Sequence, residues 1–278
     1  GGKGPACDRG KGAKLRARVP ISTADRAPPL RPVVRALRPC ADPREDPAVL
    51  IQCDPDPKMV ARREAAGMEG ASVLILPGGN YDSCSLGFPL RVALWLAELG
   101  LVAFVLRYRL RSEGHFWPAQ EEDCREAMWL IREGLGPGEG RHCPVGVLGF
   151  SAGGHLASWG ATTFDGSLRP DFHMLIYATT NVETPVWDPW KARFGYPGTE
   201  ANTVPKVSGR TPPLFAAVST EDDITSYEEN TAPYVAACKS AGVPTELVLA
   251  SMGKHGHPMV DAWTKPCESW LRRGGWII

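Results

Sequence analysis

The chain has 278 residues, 43% hydrophobic and 22% charged, proportions that suit a globular protein with one large core. Its formal net charge is zero, but residues 1–40 carry ten Lys/Arg against Asp8 and Asp25, so the remainder is net acidic. An acidic body argues against a nucleic-acid substrate, and no apolar run approaches the roughly 20 residues that a membrane-spanning helix needs.

Residues 1–45 are rich in Arg and Pro and lack sustained apolar periodicity. Such a stretch buries too little surface to order itself, so it is read as a basic, disordered tail ahead of one catalytic domain over 46–278. No apolar h-region is visible, which favours a cytoplasmic over a secreted chain. The eight cysteines are scattered without a C-x-x-C pair, as free buried thiols would be. His142-Cys143 and His255-x-His257 lack a second ligand pair, so neither a metal nor another cofactor is expected.

Ala48–Ile51 reads as a short edge strand. From residue 71 strand and helix signals alternate, which implies a mostly parallel sheet with helices on both faces, an α/β fold. Ala71–Leu76 is a continuous apolar run, as a strand buried on both faces should be, and ends in Pro77-Gly-Gly-Asn-Tyr81. A helix over 90–99, a strand over 101–106 and a helix from Pro118 follow. The strand at Val145–Leu148 runs into Gly149-Phe-Ser-Ala-Gly153, and another strand spans Met174–Tyr177. Residues 178–213 are irregular and rich in Pro and aromatic residues, as a partial lid over a site would be. Strands over 214–218 and 245–250 alternate with helices over 227–240 and 258–272.

The 149–153 stretch matches the G-x-S-x-G nucleophile elbow, in which a strained serine is lifted above the sheet edge between strand and helix. Ser151 is therefore the candidate nucleophile. Serine needs a base, and the base an orienting carboxylate. Behind such an elbow these follow in the order acid, then histidine, each after a strand. Thr220-Glu-Asp-Asp223 follows one strand and His255-Gly-His257 the next, leaving Asp222 or Asp223, and His255 or His257, open. Oxyanion donors are expected from the Ala152 N–H and from the loop containing Gly79 and Asn80. His155, in the helix after the elbow, is assigned a structural role.

Pro77–Tyr81, Phe104–Leu110, Gly149–Ala157, Arg169–Phe172 and Thr220–Asp223 with Glu229-Asn230 together resemble the α/β-hydrolase esterases of the acetyl xylan esterase group, relatives of hormone-sensitive lipases and acylaminoacyl peptidases. The resemblance runs from about residue 70 to the end of the chain. It implies an α/β-hydrolase fold and hydrolysis of short-chain esters or acetylated sugars by a Ser-His-Asp triad. Its spacing from the acid to Asn230 selects Asp223, and the Gly after the histidine selects His255. Three departures stand out: Asn80 replaces a third loop glycine, Ser219 a common histidine, and His257 a frequent aromatic. Tyr81 and His257 are accordingly expected to touch substrate. The competing readings are a serine peptidase and a non-catalytic binding protein of the same fold.

Overall fold

The computed structural model describes residues 32–37, 48–137, 143–184 and 199–278. Its sheet has eight strands, β1 (Val33–Ala36), β2 (Val49–Cys53), β3 (Ser72–Leu76), β4 (Val102–Arg107), β5 (Val145–Phe150), β6 (Phe172–Ile176), β7 (Leu214–Ser219) and β8 (Thr245–Ala250). Their spatial order is β1-β2-β4-β3-β5-β6-β7-β8, and every pair is parallel except β1-β2 and β2-β4. β3, β5 and β6 lie inside this order and are buried at every position, which is why they read as unbroken apolar runs.

Alternation along the strands separates two cores. Leu74 and Leu76 of β3 face a cluster that takes in α3 (Ala119–Leu130), α4 (Ala152–Thr163) and α5 (Ala232–Ser240) through Met128, Leu156 and Tyr234. Val73 and Ile75 face the opposite cluster, with α2 (Gly87–Glu98) and α6 (Asp261–Arg273) contributing Val92, Leu96, Trp263 and Leu271. Helices on both faces of a mostly parallel sheet are the α/β-hydrolase architecture expected from the sequence. The carboxyl ends of β3, β5, β7 and β8 consequently share one edge, where open parallel sheets assemble their sites.

Several local expectations change. Val33–Ala36 pairs antiparallel with β2, so part of the span assigned to the tail completes the sheet, and β2 is an inner strand instead of an edge. The other residues of the tail, 1–31 and 38–45, lie outside the described residues. Pro57–Ala65 forms a helix that the sequence reading passed over; the Asp56 side chain caps it by accepting the Lys58 N–H at 2.8 Å. Of the proposed lid, 185–198 lies outside the described residues. Its flanks are tied down: Thr203 Oγ1 donates to the Thr180 carbonyl at 2.9 Å, and Asn202 Nδ2 to Asn181 Oδ1 at 3.1 Å. Cys53, Cys124, Cys238 and Cys267 are free and buried, and Cys84 is free and part-buried. Among the described residues, no helix is long and apolar enough to cross a membrane.

Candidate active site

β5 ends at Phe150, α4 begins at Ala152, and Ser151 between them adopts φ 51°, ψ −119°. A side chain other than glycine rarely occupies this region, at a cost of about 1–3 kcal/mol that the surroundings must offset. Here they do. The Ser151 N–H donates to the Ile176 carbonyl at 3.3 Å, and the Ser151 carbonyl accepts from Thr179 N–H at 3.0 Å and His155 N–H at 3.1 Å. Gly153 is required by proximity: a Cβ there would stand 2.0 Å from the Leu76 carbonyl oxygen and 2.4 Å from that of Pro77. The absence of that methyl lets α4 pack onto the end of β3.

His255 Nε2 lies 2.9 Å from Ser151 Oγ, and His255 Nδ1 lies 3.0 Å from Asp222 Oδ2. The carboxylate therefore accepts Nδ1–H and leaves Nε2 as the acceptor for the serine hydroxyl. The expectation of Asp223 is corrected: its side chain is half-exposed and pairs with Lys254 Nζ at 3.0 Å. The turn explains the exchange. Asp222 Oδ1 accepts the N–H groups of Ile224 at 2.9 Å and Thr225 at 2.8 Å, folding this carboxylate inward and turning the next side chain to solvent. Burial raises the Asp222 pKa, but the hydrogen bonds from His255, Ile224 and Thr225 outweigh it and leave the group below the ordinary carboxylate value. Thr225, which the sequence reading missed, places its Oγ1 2.9 Å from the Tyr177 carbonyl, 3.1 Å from Asp222 Oδ2 and 3.1 Å from His255 Nδ1. Asn230, the residue used to select Asp223, instead accepts Thr180 N–H at 3.3 Å through its side chain and so braces the loop after β6.

Across the serine, Gly79, Asn80 and Tyr81 all have positive φ (127°, 55° and 61°). Only glycine suits the first: a Cβ on Gly79 would stand 2.1 Å from the Ser83 carbonyl oxygen. The loop is held from behind by the segment after β4. Tyr108 Oη donates to the Pro77 carbonyl at 2.6 Å, Arg111 N–H to the Tyr81 carbonyl at 2.8 Å, and Ser112 Oγ to the Asp82 carbonyl at 2.6 Å. Arg111 also pairs with Asp82 at 2.5 Å. Of these contacts, that of Tyr108 belongs to the Phe104–Leu110 motif, and Gly78, Gly79 and Asn80 line the same cavity as Ser151 and His255. Ala152 is the first residue of α4, so its N–H has no acceptor within the helix and points toward the elbow.

That cavity holds about 430 Å³. Phe88, Phe150, Tyr177, Ile224 and Pro258 form its apolar side, while Ser83, Ser85 and Arg91 add polar groups. None of these was singled out from sequence as a lining residue, because they converge only through long-range packing. Tyr81 and His257, expected to touch substrate, are both buried and do not line it. Tyr81 Oη instead donates to His155 Nδ1 at 2.8 Å, and His155 Nε2–H donates to the Ala201 carbonyl at 2.7 Å. These two bonds fix a neutral imidazole, and burial pushes it down to about 4, which suits the structural role assigned to it. His257 packs edge-on against Tyr177 with centroids 4.8 Å apart, and the Tyr177 ring lies 5.1 Å from that of His255. Its place is behind the cavity wall.

Residues 80–183 match the family model BD-FAE. The chain is 27% identical to an acetylxylan esterase of Xylanibacter ruminicola over 223 residues, covering 75% of this chain and 45% of that relative. It thus spans less than half the length of that curated protein. Among solved structures, the acetyl ester-xyloside bifunctional hydrolase of Caldicellulosiruptor lactoaceticus is 29% identical, with a TM-score of 0.71 over 88% of this chain and 97% of the other. The carboxylesterase Cest-2923 of Lactobacillus plantarum, 18% identical, shares the fold with a TM-score of 0.71 over 89% and 99%. With its mostly parallel sheet and its strained serine between β5 and α4, the chain has the α/β-hydrolase fold and is similar to esterases built on it.

Proposed function

We propose that the protein is a carboxylic ester hydrolase acting on short-chain esters, including acetylated carbohydrates, with Ser151, His255 and Asp222 as its triad. The observation that carries this reading is the hydrogen-bonded relay from Asp222 through His255 to Ser151, opening on a cavity edged by Gly79 and Asn80. The names of the Xylanibacter and Caldicellulosiruptor relatives support acetylated sugars as the substrate class.

In this mechanism Ser151 Oγ attacks the ester carbonyl carbon while His255 Nε2 takes the hydroxyl proton. Asp222 holds the tautomer that makes Nε2 the base and stabilises the imidazolium that results. The N–H groups of Ala152 and of Gly79 or Asn80 receive the oxyanion, and one such donor contributes on the order of 100-fold to 1,000-fold in turnover. As the C–O bond breaks, the imidazolium protonates the departing alcohol and an acyl-serine remains. Water then attacks that ester with His255 again as base, and the second collapse returns the proton to Ser151 and frees the acid.

Hydrolysis of p-nitrophenyl acetate tests the assignment. We expect Ser151→Ala to lower kcat at least 1,000-fold with the fold retained by circular dichroism. Undiminished hydrolysis in that variant would sink it. Stoichiometric labelling of the wild type at Ser151 by a fluorophosphonate probe separates an enzyme from a binding protein built on the same fold.

A further inference from the structure

The proposed chemistry uses the floor of the cavity and leaves one group on its wall without a task. Arg91 lies on α2, whose opposite side packs into the core through Val92, Leu96 and Ala97. Arg91 is exposed, yet it lines the same cavity as Ser151. Three residues before it on the same side of the helix is Phe88, and the Arg91 guanidinium carbon sits 5.8 Å from the centre of that ring. The Phe88 ring in turn meets Phe150 edge-on at 5.1 Å, and Phe150 immediately precedes the nucleophile. Two ring contacts therefore tie this cation to the elbow.

Its electrostatic position is equally distinctive. Arg107, Arg109 and Arg111, on the segment behind the loop, each pair with a carboxylate: Glu113, Asp123 and Asp82 respectively. Among the described residues no Asp or Glu pairs with Arg91. An arginine stays charged at any working pH and offers a planar fork that matches a carboxylate. An arginine on an outward helix face would need no explanation; this one faces the cavity, and Ser83 and Ser85 supply hydroxyls along the same cavity wall.

Resting on the ester-hydrolase reading above, we infer that Arg91 determines specificity by selecting esters that carry a carboxylate away from the scissile bond. Acylated uronic-acid sugars bear that charge on the alcohol half, and half-esters of short dicarboxylic acids bear it on the acyl half. Both present the same chemistry to the guanidinium.

Matched pairs of aryl esters test this. The alcohol arm compares 4-acetoxybenzoate with its neutral methyl ester, and the acyl arm compares mono-p-nitrophenyl glutarate with p-nitrophenyl valerate. In at least one arm the wild type should favour the charged member. Arg91→Gln should lower the charged-to-neutral ratio of kcat/KM about tenfold, mainly through KM. Arg91→Lys should keep part of the preference, and raising salt from 0.05 to 0.5 M should erode it in the wild type. Equal ratios in wild type and Arg91→Gln in both arms would overturn the inference.

A binding measurement keeps it separate from the catalytic reading. Calorimetric titration of Ser151→Ala with 4-hydroxybenzoate and with glutarate, repeated in Ser151→Ala/Arg91→Gln, needs no turnover. If the wild type hydrolyses no ester at all, the proposed function fails, and the Arg91 inference then depends on this titration. Binding of at least one anion that weakens about tenfold without Arg91 supports it. Binding of neither, or binding indifferent to Arg91, overturns it.

Discussion

Asp222 and Asp223 differ in one respect that decides their chemistry, the direction in which the turn after β7 points them. The Asp222 side chain is fully buried and its two oxygens accept from His255, Ile224 and Thr225, whereas the Asp223 side chain is 51% exposed and pairs with Lys254. Asp222→Asn cannot hold His255 with Nδ1 protonated, and loss of that tautomer is expected to lower kcat on the order of 10,000-fold. Asp223→Asn breaks a solvent-exposed pair that water and salt screen, so its kcat should stay within roughly twofold of wild type. Steady-state kinetics on p-nitrophenyl acetate with both variants separates the two carboxylates, and the reverse ranking would reinstate Asp223. The Ser151–His255 contact was legible because each residue sits in a short motif whose geometry follows from strand, turn and helix. The acid was not, since counting back from Asn230 says nothing about which way a turn faces. A local signal was available in Asp222-Asp-Ile-Thr225, where a carboxylate accepting N–H groups two and three residues on folds its own side chain inward.

α4 and the Pro77–Tyr81 loop make the elbow a joint between elements, and their tolerances are set by backbone contacts. Adding a methyl at Gly153 would press it against the carbonyl oxygens of Leu76, which ends β3 beside β5, and of Pro77, which holds the Tyr108 hydroxyl. Gly153→Ala should therefore destabilise the fold by about 1–3 kcal/mol or more, read as a lower urea midpoint with an unchanged slope. Tyr108→Phe removes the hydroxyl that bonds the Pro77 carbonyl, leaving that acceptor buried at a cost of about 1–3 kcal/mol. Because that carbonyl precedes the Gly79–Asn80 loop proposed to receive the oxyanion, we expect kcat to fall together with the melting temperature while KM changes little. A variant that melts earlier but keeps full kcat would show that the loop holds its geometry without Tyr108. At this scale the sequence was informative wherever an element is buried on both faces. The strand starting at Ala71 and the one at Val145 were visible as apolar runs, whereas β1 was hidden in a basic stretch. β1 shows one residue half-buried and three exposed, so it carries no such run. The helix at Pro57–Ala65 escaped notice for a similar reason, since Arg63 is its one buried residue.

For the molecule as a whole, buried histidines that take no part in the proposed reaction contribute to its response to acid, His155 and His173 most strongly. His155 joins α4 to Tyr81 and Ala201; His173 in β6 joins the Pro213 carbonyl at 3.2 Å to the Tyr234 hydroxyl at 3.1 Å. In each ring one nitrogen donates to a carbonyl and the other accepts a phenolic proton, an arrangement that only the neutral imidazole satisfies. Burial pushes His155 down to about 4 and His173 to about 3, while in the unfolded chain both return to about 6.5. Between those values the unfolded state binds protons that the folded state refuses, so stability is complete above about pH 6.5 and declines as the pH falls. His155 alone accounts for about 3 kcal/mol of loss by pH 4. Asp222, held below the ordinary carboxylate value, contributes in a separate and more acidic window: its share is present above about pH 4 and is lost as the pH falls through the folded value. Urea unfolding at pH 7.5, 5.5 and 4.5 should therefore show a midpoint that drops between the first two conditions, before the carboxylates titrate. His155→Leu should start less stable, because it removes the bonds to the Tyr81 hydroxyl and the Ala201 carbonyl, and should lose less on acidification, with His173 and His257, both lowered by burial, supplying the slope that remains. A wild-type midpoint that is flat from pH 7.5 to 4.5 would show that neither imidazole is held neutral in the folded protein.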